Sequence, residues 1–246
     1  MDAAQSRTDH FYRPGSPFTS AELQTLASEG ALRPVLADVF VRAAVRGSRS
    51  VRAQAAHALL GPKIRPRATL CGETAAWAHL SGSAPQRINI IAPGATPRPN
   101  LREPILWQVH SVPLEEEEQM RLGGAALTTP ERTAEDIFLG IGTVGTRKPA
   151  DRLITVNGWL REDLCFWPQR PGKDEHVYTP GDDEQNTLSR RLDLIGQLLQ
   201  GVDDLEAMAE RIVERTKRSA NGEKGRAARI AELLDQCISR RFPTVR

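Results

Sequence analysis

Hydrophobic spacing changes character once along this chain, and that change limits the folds open to it. Up to about residue 139 the apolar residues come in short pieces that switch between twofold and helical spacing. Strand-like pieces are Leu32 to Leu36 and Val39 to Ala43 (with Ala37-Asp38 as the turn between them), Ala68 to Cys71, Arg87 to Ala92, Ile105 to Val112 and Ala125 to Thr128. Helical pieces lie among them: Ser48 to Leu60, Gly72 to Leu80 and Pro130 to about Leu139. From Asn186 onward the spacing is helical only, through Leu188, Leu192, Ile195 and Leu199, then Leu205, Met208 and Ile212, then Ile230, Leu233, Leu234, Cys237 and Ile238. Such a pattern predicts an α+β chain with a short N-terminal winged-helix-like module, a central mixed α/β region and a helical C-terminal region. The expected layout is a disordered leader over 1–17, the helix-and-hairpin module over 18–67, the central region over 68–168 and the helical region over 169–246.

Local signals mark several helix ends. Thr19 and Glu22 have the spacing of a capping box, with Phe18 and Leu23 placed as a hydrophobic staple and Gly30 as the stop. Val51, Ala55, Ala58 and Leu59 form one stripe, with Arg49 and Arg52 beside it, and Gly61-Pro62 ends that helix. Asp203 and Glu206 read as a second capping box. Leu153, Val156, Leu160 and Leu164 suggest a further helix interrupted by Gly158, while Pro93 to Pro104, Gly140 to Pro149 and Pro168 to Pro180 read as loops.

Enzyme chemistry finds no foothold in the sequence. There is no phosphate-cradling glycine loop and no nucleophile elbow. His10, His57, His79, His110 and His176 show no metal-ligand spacing, and Cys71, Cys165 and Cys237 are too sparse for a disulfide framework or a cysteine-rich zinc site. The strands carry no Asp or Glu from which a metal-dependent nuclease centre is built. Neither a catalytic residue, a metal nor a cofactor is therefore expected. Asp182-Asp183-Glu184 reads as a helix start and Glu115 to Glu118 as a solvated turn. Trp77 and Trp107 read as core residues, as does Trp159, whereas Trp167 precedes a loop. The longest apolar run, Ile88 to Ala92, is far too short to cross a bilayer, and Met1 to Arg13 lacks an apolar signal region, so a cytoplasmic protein with no membrane partner is expected.

A formal charge of +2 argues against a general affinity for nucleic acid, but the charges are segregated. Arg33, Arg42, Arg46, Arg49, Arg52, Lys63, Arg65 and Arg67 face a single acid, Asp38, giving that stretch a local balance of +7. From Arg211 to Arg246 ten basic residues stand against four acids. The first stretch coincides with the basic hairpin and the helix after it, so those eight residues are the candidate DNA contacts, acting chiefly on phosphates.

Two motifs resemble a known family. Cys71 to Gly82, reading CGETAAWAHLSG, is similar to the S/G-x-x-T/S-A-A-W-x-x-G segment of AbiEi-like antitoxins. Leu127 to Asp136, reading LTTPERTAED, looks like the V-T-x-P-x-R-T-x-x-D segment that follows it there. Phe18-Thr19 to Arg42 resembles that family's shortened helix and wing, Val51-Arg52-Ala53 its x-R-A helix, and Gly225 to Leu234 its C-terminal G-x-x-R-A-R-x-L-L helix. Within the second motif Thr129 is placed to cap a helix, Pro130 to open it, and Arg132 and Asp136 to pair across one turn, with Thr133 between them, so the motif reads as mainly structural. The resemblance implies a non-enzymatic antitoxin that binds DNA upstream of its own operon, represses it and counteracts a nucleotidyltransferase-like toxin. Two other readings stay open: a protein–protein module that does not touch DNA, using the helical final third, and a nuclease-related DNA-processing protein.

Overall fold

The computed structural model describes residues 11–15, 17–94, 106–143, 182–216 and 226–239. The chain forms two compact units, Met1–Thr129 and Pro130–Arg246. Helices and mixed sheets are both present, in keeping with the α+β expectation.

The first unit opens with β1 (Phe11–Tyr12), α1 (Ser20–Ser28), β2 (Leu32–Leu36) and β3 (Val39–Arg42). The capping box forms as expected: the Glu22 amide donates to Thr19 Oγ1 at 3.3 Å and the Thr19 amide donates to Glu22 Oε2 at 2.7 Å. Gly30 follows the helix at φ +78°, a left-handed position that releases the chain into β2. Strands β2 and β3 form an antiparallel hairpin, and β1 adds to its other side, pairing Phe11 with Val41 and Tyr12 with Phe40. Leu23, Leu32 and Phe40 bury a small core under α1, with Phe18 and Tyr12 packed against it, so the two staple residues share one cluster.

Beyond this lies α2 (Arg49–Ala58), then β4 (Thr69–Leu70), α3 (Gly72–Leu80), β5 (Arg87–Ile91), β6 (Leu106–His110), β7 (Gln119–Leu122) and β8 (Ala125–Thr128). The strands make one five-stranded sheet in the order β6-β5-β4-β8-β7, with β5–β6 and β4–β8 parallel and β4–β5 and β7–β8 antiparallel. Alternation along the strands sends Leu70, Ile88, Ile90 and Leu127 to one face, where they share a core with Ala53 and Ala56 of α2, Leu59 at its C-terminal cap, and Ala75 and Trp77 of α3. On the other face Thr69 Oγ1 donates to Gln119 Oε1 at 3.0 Å. Polar bonds also tie the helices to the sheet. A ring nitrogen of His79 lies 2.9 Å from the Thr128 carbonyl oxygen, and Gln54 Nε2 donates to the Gly123 carbonyl at 2.6 Å.

The second unit contains α4 (Pro130–Phe138), α5 (Asp182–Leu198), α6 (Leu205–Thr216) and α7 (Arg226–Ser239). α5 packs on α4 and on α7, and α6 packs on α7. Ile195, Leu199, Met208, Ile212, Ile230 and Leu234 are among its buried side chains. Helices α5 and α7 approach closely at Gly196, where a Cβ would run into the Cys237 carbonyl oxygen.

Several expectations need correction. Phe11 and Tyr12 are not leader but a third strand, because two adjacent aromatic side chains find burial against the hairpin. The module ending at residue 67 does not stand apart from the sheet after it: Leu36 and Val39 share one core with Leu70 and Ile88, and the division falls at Thr129/Pro130 instead. Of the stripe expected on α2, Ala55 and Leu59 are buried, but Ala53 and Ala56 join them while Val51 and Ala58 are only half-buried. Glu115 to Glu118 are the turn expected, with a 3₁₀ turn over Glu116–Glu118, but they lead into β7, a strand missed because Gln119 and Arg121 disguise it. The cap of α6 is Asp204, whose Oδ1 accepts the Ala207 amide at 2.8 Å, one residue after the expected Asp203. The helix expected over Leu153 to Leu164, the loop over Pro168 to Pro180, Cys165, Trp159 and Trp167 lie outside the described residues.

Candidate nucleic-acid interface

The eight basic residues fall into two groups with different jobs. β3 ends at Arg42, and α2 begins at Arg49, capped by Ser48, which accepts the Val51 amide at 3.2 Å. The connector between them carries Arg46 and is held by its own turns, the Val45 amide donating to the Arg42 carbonyl at 2.9 Å and the Ser48 amide to the Arg46 carbonyl at 2.8 Å. Two further arginines brace it from behind. Arg33, on β2, donates from Nη2 to the Val45 carbonyl at 3.1 Å. Arg52, one turn into α2, donates from Nη1 to the Gly47 carbonyl at 3.0 Å.

Arg52 also does structural work elsewhere. Its Nε donates to the Trp77 carbonyl at 2.9 Å and its Nη2 to the Ala78 carbonyl at 2.9 Å, near the C-terminus of α3, where the Trp77 carbonyl also accepts the Ser81 amide at 3.0 Å. Burial, and then the charge of Arg49, lower its pKa. Arg65 plays the same part for α2, donating from Nε to the Leu60 carbonyl at 3.1 Å and from Nη2 to the Ala58 carbonyl at 2.9 Å. These guanidiniums are committed to backbone carbonyls, as their fixed fork of donors allows.

Arg42, Arg46, Arg49, Lys63 and Arg67 are exposed. Arg42 is steadied by one hydrogen bond, Nε to the Tyr12 hydroxyl at 3.0 Å, which raises its pKa. The one acid of the stretch, Asp38, lies 3.6 Å from Arg13 at the hairpin turn. Among the described residues, no ion pair involves Arg42, Arg46, Arg49, Lys63 or Arg67. Lys63 and Arg67 follow the far end of α2, and a ten-residue helix spans about 15 Å, so the single patch read from sequence is two. Arg42, Arg46 and Arg49 form the coherent one. Tyr12 belongs beside it and was hidden by its distance in sequence.

The second motif sits elsewhere and is built differently. Pro130 opens α4 directly after Thr129, and Arg132, Thr133 and Asp136 are all buried on that helix. Arg132 Nε donates to Asp136 Oδ1 at 2.9 Å. Glu135 is buried too, and Arg215 Nε stands 2.7 Å from its Oε1, within ion-pair range. Burial pushes the Glu135 carboxyl up to about 7 against the pull of Arg132. The helix thus carries Arg132, Glu135 and Asp136 buried, with the Arg132 side chain 3% exposed.

Among the described residues, no three His, Cys, Asp or Glu side chains gather where they would hold a metal ion. No helix among them is long and apolar enough to cross a membrane. No known protein family, curated protein or solved structure matches the chain.

Proposed function

We propose that the chain is a DNA-binding regulator of the AbiEi-like antitoxin kind, which represses its own operon by occupying the DNA upstream of it and counteracts a nucleotidyltransferase-like toxin. One observation carries the reading: Arg42, Arg46 and Arg49 are exposed along one braced connector and have no acidic partner among the described residues. α1 and the β2–β3 hairpin stand in for the helix and wing of a shortened winged-helix module, and the motifs over Cys71 to Gly82 and Leu127 to Asp136 supply the family resemblance.

The physical task is phosphate contact. Each arginine that meets a phosphate displaces a condensed counterion, and the N-terminus of α2, which opens at Arg49 where the connector ends, adds its positive dipole end. Arg33 and Arg52 hold the connector in shape before binding, so less ordering entropy is lost on docking. Repression follows from occupancy.

The test is a titration of labelled upstream DNA at several salt concentrations. Three phosphate contacts give a slope of log affinity against log salt of about −2.7, and so a loss of roughly fortyfold between about 50 and about 200 mM. A flat salt response, or no affinity for that DNA, overturns the reading.

A further inference from the structure

Beside the basic connector lies an open groove whose apolar lining phosphate binding does not use. It has a volume of about 400 Å³ and is lined by Tyr12, Phe18, Leu26, Leu32 and Arg42, with the small residues Ala31, Ala43 and Ala44 around its mouth. Its floor continues the small core under α1, where Leu32 is buried and Leu26 half-buried. Tyr12 and Phe18 meet edge to face, with ring centroids 5.9 Å apart, which fixes the aromatic wall. At the rim Arg42 is held by its Nε bond to the Tyr12 hydroxyl, and neither of its Nη groups bonds to a described residue.

The combination selects an occupant. An apolar floor wants an apolar group, and a fixed guanidinium at the rim, with exposed Arg46 four residues further along the chain, wants an anion next to it. A nucleobase fits poorly. Among the described residues the groove's polar side chains are Tyr12 and Arg42, and Arg42 is exposed at the rim, so the hydrogen-bonding edge of a base pushed onto the apolar floor would leave donors and acceptors unmet. A leucine or phenylalanine side chain loses nothing there. We propose that this groove docks an acidic protein segment, one large apolar side chain filling the pocket while a neighbouring carboxylate pairs with Arg42. Sharing Arg42 between a phosphate and a carboxylate makes this docking and DNA contact compete.

The probe is a dye-labelled synthetic peptide of glutamates around a leucine-phenylalanine pair, followed by fluorescence anisotropy with the full chain. Two variants carry the test. Ala31→Leu fills the mouth of the groove from an exposed position without changing charge, and Arg42→Glu reverses the rim. Each is expected to weaken the peptide by about tenfold or more, the usual effect of removing an interface anchor, with far-ultraviolet circular dichroism unchanged. Ala31→Leu is expected to leave duplex DNA binding intact, so the groove and the phosphate surface fail or succeed separately. The proposal is overturned if the peptide does not bind, if it binds Ala31→Leu as well as the parent, or if an all-alanine core in the peptide binds equally well, which would mean charge alone. It is also overturned if single-stranded oligothymidine binds and Ala31→Leu abolishes that, which would assign the groove to a base.

Discussion

Arg132 Nε lies 2.9 Å from Asp136 Oδ1, one helical turn apart, with 3% and 0% of the two side chains exposed. An ion pair at this spacing on a helix surface contributes only a few tenths of a kcal/mol. In a buried setting the pair matters for a different reason: neither charge can be left alone. Asp136→Ala removes the hydrogen-bonded partner of the buried Arg132 guanidinium and is expected to cost about 3 kcal/mol in chemical denaturation, as is Arg132→Ala. Replacing both with apolar side chains of similar volume is expected to recover most of that loss. Single variants that melt like the parent would mean the pair is solvated in solution.

Glu135, the residue before Asp136, gives the second unit a pH dependence. Its carboxyl is held up to about 7 by burial, against 4.5 as a free side chain. Between those values the folded chain binds the proton that the unfolded chain has released, so this group destabilises the fold increasingly as pH rises through the window. The shift corresponds to about 3 kcal/mol, with the charges of Arg132 and Arg211 already pulling against burial. Thermal melts of the parent and Glu135→Gln are expected to differ most above neutral pH, the glutamine variant being the more stable, and to converge as pH falls toward 4.5. A gap that widens on acidification would show the surrounding guanidiniums outweighing burial.

Gly196→Ala is expected to destabilise the helical unit out of proportion to its size. Added on the α5 backbone, the methyl meets the Cys237 carbonyl oxygen, a backbone atom that no rotamer change moves aside. Relief requires α5 and α7 to separate, at a cost of about 1–3 kcal/mol in denaturant midpoint. Gly201→Ala makes a useful contrast: nothing lies within 4 Å of its Cβ, and its cost of about 1 kcal/mol comes from φ +86° alone.

What the sequence made legible is what depends on residues close together in it. The Thr19–Glu22 box, the stop at Gly30, the opening of α4 at Pro130 and the pairing of Arg132 with Asp136 are all settled within one helical turn. Sequence could not say that the last of these is buried, because burial is decided by helices far along the chain. Tyr12 was hidden for the same reason, since its strand partner is Phe40 and its hydrogen-bond donor Arg42. Arg52 and Arg65 read as surface cations like their neighbours. What separates them is the set of carbonyl oxygens they meet, at Trp77 and Ala78 for Arg52 and at Ala58 and Leu60 for Arg65. A count of charges finds the basic stretch; only geometry sorts bracing arginines from exposed ones.

That sorting yields a prediction that joins stability to binding. Arg52→Ala removes donors from the α3 carbonyls and from Gly47, and is expected to cost about 2 kcal/mol in a thermal or denaturant melt without any DNA present. Arg52→Lys keeps the charge but not the fork, so it is expected to rescue only part of the loss. Arg46→Glu and Arg49→Glu sit in solvent and are expected to shift stability by no more than about 0.5 kcal/mol. On DNA the order reverses. Loss of two phosphate contacts flattens the salt slope by about 1.8 and weakens binding at low salt beyond what Arg52→Lys does. The decisive comparison is the double charge reversal against Arg52→Lys, each followed by melt and by DNA titration. If Arg52→Lys costs the DNA affinity and the double reversal does not, the phosphate-contacting residue is the bracing arginine and the exposed face has been assigned to the wrong side of α2.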